Sequence, residues 1–381
     1  MPARQSKKLG ELPPLARDIN AIVAGLLRDL ARIEPSKPKT FGYKRAAAVV
    51  FSLDDPLDEL MTDGQLPKIY GIGPSSTRVI QEVIETGQSA TVDRRVADMG
   101  RVEDILARRR MRATHLSRAA VRRVLEDPSL EGVTRADYRG DFQMHSEWSD
   151  GTSTLTELAH ACLARGYGYS AVSDHSHGLR IAGGMSMAEA QAQHAEIDRL
   201  NESPQFAGRF RWIKGVEANI AADGSLDLTD DEASAFEMVL AAPHAKLRLT
   251  TDQTPRLLAA IEHASVRVLA HPRGRVMDTR AGMVADWPAV FRHAAAIGVA
   301  VEIDGDPARQ DLDYVLAREA LAAGCLFALD SDAHTPAQLA YAETALAHAR
   351  LAAVPADRII NCWPLEQLLP WLHDRGTHAT R

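Results

Sequence analysis

Apolar side chains recur at three- and four-residue spacings over residues 14–35, where Leu15, Ile19, Ile22, Leu26 and Leu30 share one face of a predicted helix. Pro35 and Pro38 end that helix. Residues 42–52 and 55–62 repeat the period over shorter runs and predict two more helices. The segment Leu66-Pro67-Lys68-Ile69-Tyr70-Gly71-Ile72-Gly73-Pro74 then leads into a helical pattern from Ser75 to Glu85, stopped by Gly87. That spacing predicts a helix, a tight glycine hairpin and a second helix. An arginine-rich helical stretch covers 99–127, including Arg108-Arg109-Arg110, and Asp127-Pro128 with Gly132 marks a boundary. From Tyr138 the rhythm changes. Strand-like runs at 138–144, 168–173, 210–216, 236–242, 266–270, 298–303 and 326–330 alternate with helical patterns at 153–165, 187–200, 254–263, 287–296, 311–323 and 336–348. Such alternation predicts an α/β fold built on a parallel sheet or barrel. The expected organisation is a small all-α unit at 14–90, a helical connector at 91–137 and a barrel at 138–370.

Charge sharpens this division. Residues 1–140 hold 24 Lys and Arg against 19 Asp and Glu, a net of +5, while the remainder holds 20 against 32, a net of −12. Ten of the 14 histidines fall between positions 145 and 334, inside the acidic part. An acidic, histidine-rich barrel suggests cation binding, and a mildly basic helical part suggests contact with phosphates or a solvated helical surface. No run approaches the roughly 18 apolar residues of a membrane span. The basic start, Met1 to Lys8, reads as a tail, since no apolar core with a cleavage site follows it. Cys162, Cys325 and Cys362 lack paired spacing and read as buried thiols, so the expected location is cytoplasmic.

Chemistry concentrates where the strand-like runs end. They terminate in Gln143-Met144-His145 with Asp150 beyond, then Ser173-Asp174-His175, Gly215-Val216-Glu217, Pro243-His244, Ala270-His271-Pro272, Val301-Glu302-Ile303-Asp304 and Asp330-Ser331-Asp332-Ala333-His334. In a barrel of parallel strands all carboxyl ends open on one face, where catalytic groups collect. Imidazole suits Zn, Mn or Fe, and carboxylate oxygen suits Mn, Mg or a bridging position. Any one of these residues alone is a commonplace strand cap. Six of seven strand ends finishing in His, Asp or Glu, with His145 just beyond the first, point jointly to a cluster of ions able to clamp a phosphoryl group.

The passages GDFQMHSEWSDG (140–151), GYSAVSDHSHGLRIAGGMS (168–186), KGVEANI (214–220), LAHPRGR (269–275), VEIDGDPARQDL (301–312) and DSDAH (330–334) make residues 138–362 resemble the PHP (polymerase and histidinol phosphatase) domain at the carboxyl end of bacterial family-X DNA polymerases. That resemblance implies a distorted seven-stranded (β/α) barrel and two or three divalent ions, Mn, Zn or Fe. It implies His145, Asp150, His175, Glu217, His244, His271, Asp332 and His334 as ligands, Glu217 as the bridge, and catalysis carried by Glu217, His271 and Asp332. The family usually opens with His-x-His, whereas Gln143 stands here. Its amide oxygen would be a weaker, harder ligand, which favours Mn over Zn.

The helical part, through FGYKRAA (41–47) and LPKIYGIGPSSTRVIQEVIETG (66–87), resembles the DNA-end-binding domain of the same polymerases. A helix-hairpin-helix there implies sequence-independent phosphate contacts at Gly71 and Gly73, flanked by Lys44, Arg45, Lys68 and Arg78. Residues 88–137 leave no room for a polymerase palm and thumb, and no Gly-Ser followed by Asp-x-Asp occurs there, so no polymerase is expected. Arg180, Lys246, Arg273, Arg275 and Arg309 follow strand ends and are candidates to hold substrate phosphates. The leading expectation is a Mn-dependent 3′-to-5′ exonuclease, 3′-phosphatase or related repair nuclease with DNA as partner and no membrane association. The alternatives are a small-molecule phosphatase of histidinol-phosphate type, and a non-catalytic DNA-binding protein with a structural metal centre.

Overall fold

In the computed structural model, which describes residues 18–64 and 69–374, the first helix starts on a doubly used carboxylate. Asp18 Oδ1 accepts the Ala21 N–H at 2.9 Å and so caps α1 (Ile19–Ile33). The same side chain accepts from the N–H and hydroxyl of Ser117, which is itself the cap of a later helix. Leu15, the basic start of the chain and Lys68 lie outside the described residues.

Six further helices complete the amino-terminal part: α2 (Lys37–Phe51), α3 (Leu57–Thr62), α4 (Pro74–Thr86), α5 (Ala90–Asp98), α6 (Val102–Arg112) and α7 (Arg118–Glu126). Pro38 does not merely end α1, as its position suggested. It lies in the first turn of α2, where a missing N–H costs no hydrogen bond, so α2 starts five residues earlier than expected. The stretch 99–127 is likewise not one helix, because α6 ends at Arg112 and Ser117 caps a new start at α7 by accepting the Ala120 N–H. Val23, Leu27, Val50, Val79, Ile80 and Val83 form the core of this bundle.

Six parallel strands follow in sequence order: β1 (Tyr169–Val172), β2 (Arg211–Asn219), β3 (Met238–Ala242), β4 (Val266–Leu269), β5 (Ala300–Asp304) and β6 (Leu326–Asp330). Helix α8 (Leu155–Ala164) precedes them, and between and after them run α9 (Met187–Glu202), α10 (Asp230–Ala233), α11 (Thr254–Glu262), α12 (Trp287–Ile297), α13 (Tyr314–Ala323), α14 (Ala342–Leu351) and α15 (Leu365–His373). Strand residues alternate between two cores, as period two demands. Val172, Val216, Val239, Val301 and Leu329 meet the helices, while Ala171, Ile213, Leu240, Val268 and Ala328 share an inner core with Phe142, Leu368 and Trp371. Trp371 Nε1 donates to Gly298 O at 3.2 Å, which seats α15 across the amino ends of the strands.

The seventh strand expected at 138–144 is not one. This segment does run beside β1, through Ala171 N to Asp141 O at 3.0 Å and Ser173 N to Met144 O at 2.9 Å. On its other side one parallel bridge forms, Met144 with Ala333, and side chains take the place of the rest of a ladder. Asp330 Oδ1 accepts the Phe142 N–H at 2.7 Å, and Asn361 Nδ2 donates to both Gly140 O and Leu329 O at 2.9 Å. The α/β sheet is therefore a curled, six-stranded parallel half-barrel that this irregular segment closes. Among the described residues no helix is long and apolar enough to cross a membrane.

Candidate metal centre

Glu217, at the end of β2 and 1% exposed, is the hub of the site. Its Oε2 lies 3.0 Å from His175 Nδ1 and 3.5 Å from His145 Nε2, and its Oε1 lies 2.8 Å from His271 Nε2 and 3.2 Å from His244 Nε2. Asp150 Oδ1 forms a second focus, 3.5 Å from His175 Nε2, 3.4 Å from His334 Nε2 and 3.9 Å from His145 Nδ1. Asp332 Oδ1 closes the ring at 3.2 Å from His145 Nε2. The ligand atoms of His145, Asp150, His175 and His334 all lie within 4.8 Å of one another, as do those of His175, Glu217 and His244. His175 joins the two groups.

These donors fit divalent cations. Glu217 Oε2, His145 Nδ1 and His175 Nδ1 are buried with no well-directed hydrogen bond, a costly state that a shared cation relieves. The ring orientations also suit ligation. His334 Nδ1–H donates to the Asp332 carbonyl at 2.9 Å and His244 Nδ1–H to Asn219 Oδ1 at 3.3 Å, which leaves the Nε2 lone pair of each ring facing a cluster carboxylate. Two ligand candidates sit on unusual backbone, His271 at φ +24° and Asp332 at φ +51°. Strain of this kind persists only where neighbours hold it.

Proximity of unlike charges shifts the titrations. Burial alone would lower His175, but Glu217 and Asp150 raise it to about 10, and the Asp150 hydrogen bond lifts His334 to about 9 against burial. Burial opposes ionisation of Asp150, yet its bonds to His175 and His334 hold it well below the usual carboxylate range. Glu217 is likewise held far down against burial, by His175 and His244. His271 is lowered, by burial first and then by the Arg309 charge.

The other expected residues divide by position. Gln143 is fully buried two residues before His145, and neither its Oε1 nor its Nε2 has a hydrogen-bond partner. Arg309 lies at the cluster, with Nε 3.1 Å from Asp332 Oδ2 and 3.4 Å from Asp304 Oδ2. Arg180 and Lys246 are exposed on the loops after His175 and His244. Arg273 and Arg275 are placed otherwise than expected. Arg273 bonds to Asp311 and Asp313, and Arg275 to Asp313, Thr114 and the carbonyls of Arg309 and Gln310. Their donors brace the turn after β4 rather than face a substrate.

In the helical part, Gly71 turns with φ +98° and Gly73 is the residue before α4. Both line a cleft of about 510 Å³ together with Lys39, Arg45, Ser75 and Arg95. Lys44 and Arg78 are exposed nearby, and the Arg45 guanidinium lies 6.0 Å from the centre of the Tyr70 ring. Of the Arg108–Arg110 run, Arg108 turns inward to the Asp278 carbonyl and Arg109 to Asp29 and Asp93.

Sequence reasoning passed over the residues that hold the ligand turns. Asp174, wholly buried, accepts from Ser146 N and Oγ, Ser149 Oγ and Gln193 Nε2, and so folds the turn between His145 and Asp150. Glu302 accepts the N–H of His271, and Asp227 accepts from Ser176 Oγ and Asn219 N. The one signal for Asp174 was its place beside His175, and period two sends such neighbours to opposite faces.

No family model matches the chain. It is 33% identical over 245 residues to the DNA polymerase/3′-5′ exonuclease PolX of Bacillus subtilis, a match covering 64% of this chain and 42% of that protein, so the chain spans about two-fifths of that relative. It is 28% identical to a probable phosphatase of Shewanella sediminis, over 60% of this chain and 90% of the relative, and 26% identical to one of Syntrophotalea carbinolica, over 58% and 90%. Among solved structures, the histidinol phosphate phosphatase of Lactococcus lactis, complexed with Zn, L-histidinol and phosphate, aligns with a TM-score of 0.40 at 15% identity, over 55% of this chain and 92% of that one. Cluster and similarities together make the chain a metal-dependent hydrolase of phosphate esters. They support a protein of PHP type.

Proposed function

We propose that the chain cleaves phosphate esters at nucleic-acid ends, as a 3′-to-5′ exonuclease or 3′-phosphatase, and that it does not polymerise. The observation that supports this reading is the attachment of the helical part, with its glycine hairpin and cations, to the barrel face that carries the cluster. Arg28 and Arg112 grip Asp278 in the loop after β4, and Gln310 in the loop after β5 bonds the backbone of Leu116 in both directions. A phosphate chain held at the hairpin is proposed to run on from the helical part to that face.

His145, Asp150, His175 and His334 would hold one ion and His175, Glu217 and His244 another, with His271 and Asp332 alongside and Gln143 as a further oxygen donor. Divalent ions held there supply positive charge that polarises a phosphate and acidifies water. Glu217 keeps four imidazoles converging on one point and is the proposed bridge. Together with His271 and Asp332 it is proposed to carry catalysis. Arg309, fixed through Nε to two carboxylates, has its terminal N–H groups for an anion, where charge grows in a displacement at phosphorus. Arg180 and Lys246 stand ready at the rim for the phosphates of a longer substrate. The oxygen of Gln143 favours Mn²⁺. Gly71, Gly73, Lys44, Arg45 and Arg78 would contact DNA without reading its sequence, an affinity that weakens with salt.

A second reading, a small-molecule phosphatase with the helical part as a fixed wall, is favoured by the similarity to probable phosphatases over about nine-tenths of their length. Incubation of the pure chain and Mn²⁺ with labelled single-stranded, gapped and 3′-phosphorylated DNA separates the two. Product above that of the His145→Ala, Glu217→Ala double variant is the expected result. Turnover of small phosphate monoesters alone would favour the second reading instead.

A further inference from the structure

Between the helical part and the barrel lies a cleft of about 540 Å³ that the chemistry above leaves without a role. Phe51, Leu116, Met277, Pro307 and Tyr341 line it, with Arg28 at its edge. Met277 follows β4, Pro307 follows β5 and Tyr341 follows β6, so the cleft opens at the carboxyl ends of the strands, as the metal cluster does. Pro307 and Ala308 form one wall. The next residue, Arg309, lies with its Nε 3.1 Å from Asp332. Cleft and cluster are therefore about one arginine side chain apart, which is also the reach from a phosphate to the base attached to it.

Two features define what the cleft can take. The rings of Phe51 and Tyr341 and the thioether of Met277 offer polarisable surfaces suited to a flat aromatic group. The Arg28 guanidinium lies over the Phe51 ring at 5.7 Å, and Ser52, Arg118 and Thr344 line the same cleft, so donors stand beside its rings. Such donors call for an acceptor on the occupant. A hydrocarbon would match the rings and leave the donors unmatched, and an inorganic anion would do the reverse. A nucleobase, aromatic on its faces and edged with carbonyl and ring-nitrogen acceptors, matches both.

We propose that this cleft seats the base of the nucleotide whose phosphate lies at the cluster, so that the substrate is a nucleoside phosphate ester. The proposal rests on the phosphoester chemistry assigned to the cluster, and it names what the phosphate is attached to. It is tested by titrating the full-length chain, loaded with Mn²⁺, with the phosphonate analogue of thymidine 5′-monophosphate and with ethylphosphonate. The carbon–phosphorus bond keeps both intact, so binding is read apart from turnover. The nucleoside phosphonate is expected to bind about tenfold or more tightly, the scale of one base stacked on an aromatic side chain. Tyr341→Phe should preserve that gap and Tyr341→Ala should erase it. Arg28→Met, which removes the lining guanidinium while keeping the length of the side chain, should narrow it and gives the same reading if Tyr341→Ala does not fold. Equal affinity for the two phosphonates in the unaltered chain, or a gap that both Tyr341→Ala and Arg28→Met leave intact, overturns the proposal. A gap in a chain that cleaves no DNA would support the cleft while refuting the nuclease reading.

Discussion

Asp174→Ala would delete a wholly buried carboxylate and strand the groups that point at it. Asp174 accepts the Ser146 N–H at 2.8 Å, the Ser146 hydroxyl at 2.6 Å and the Gln193 amide at 2.6 Å, and it also holds the Ser149 hydroxyl. The hydroxyls can rotate to other partners. The Ser146 N–H and the Gln193 amide cannot, and both are fully buried. Two stranded donors at about 1–3 kcal/mol each put the expected loss near ~4 kcal/mol, to be read by urea unfolding of the metal-free chain. The same change releases the turn that sets Asp150 against three imidazoles, so Mn²⁺ affinity should fall by about 10- to 100-fold in a calorimetric titration. Asp174→Asn keeps one acceptor oxygen and should fall between. A loss under about 1 kcal/mol with unchanged Mn²⁺ affinity would refute the claim that a carboxylate outside the cluster shapes it.

Glu217→Gln removes the negative charge that faces four imidazoles, and elemental analysis should find at least one fewer ion per chain; full metal content would reject a bridging role. Stability should fall as pH drops from about 6.5 toward 3, because burial, reinforced by Arg275, pushes His348 down to about 3. Its Nδ1 accepts from Tyr314 N and its Nε2–H donates to Gln310, so the folded ring stays neutral while the unfolded ring takes up a proton. The His348 share of that loss is on the order of 4 kcal/mol, and a His348→Gln variant whose pH profile matches the parent would disprove it. Changing Lys44, Arg45 and Arg78 together to glutamine should flatten the slope of log affinity for DNA against log salt by roughly 2–3, and an unaltered slope would remove the hairpin from the DNA contact.

The convergence of His145, His175, Glu217, His244, His271, Asp332 and His334 was legible in the chain because parallel strands have one polarity. Once each residue is assigned to a carboxyl end, all must open on one face. What pairing those residues make was not legible. Arg273 and Arg275 follow a strand end as Arg309 does, yet they turn inward because Asp311 and Asp313 wait 38 and 40 residues further on. Nothing local distinguishes the three arginines. The missing seventh strand has the same cause, since all but one bridge of the ladder beside 138–144 is replaced by the side chains of Asp330 and Asn361, about 190 and 220 residues away. Positive φ at His271 and Asp332 is equally silent in a sequence where neither position is glycine. The early start of α2 could have been read, since a proline two residues after a serine fits a first turn as well as a stop.

The contact between the two parts bears on the cluster itself. Asp278, left-handed at φ +58°, sits in the loop that begins at His271, and Arg28, Arg108 and Arg112 from the helical part all bond to it. Asp311 accepts the N–H of Arg273 within the same loop, and Thr114 bonds both Asp313 and Arg275. The backbone of His271 is thus held from below by Glu302, and its loop is held from above by arginines of another part of the chain. A ligand candidate with a strained φ needs such restraint, because relaxing the strain would swing its ring away from Glu217. The helical part is therefore more than a platform for a second ligand. Its docking is one of the forces that keep the β4 arm of the cluster in place, so metal affinity and the integrity of that interface are expected to change together.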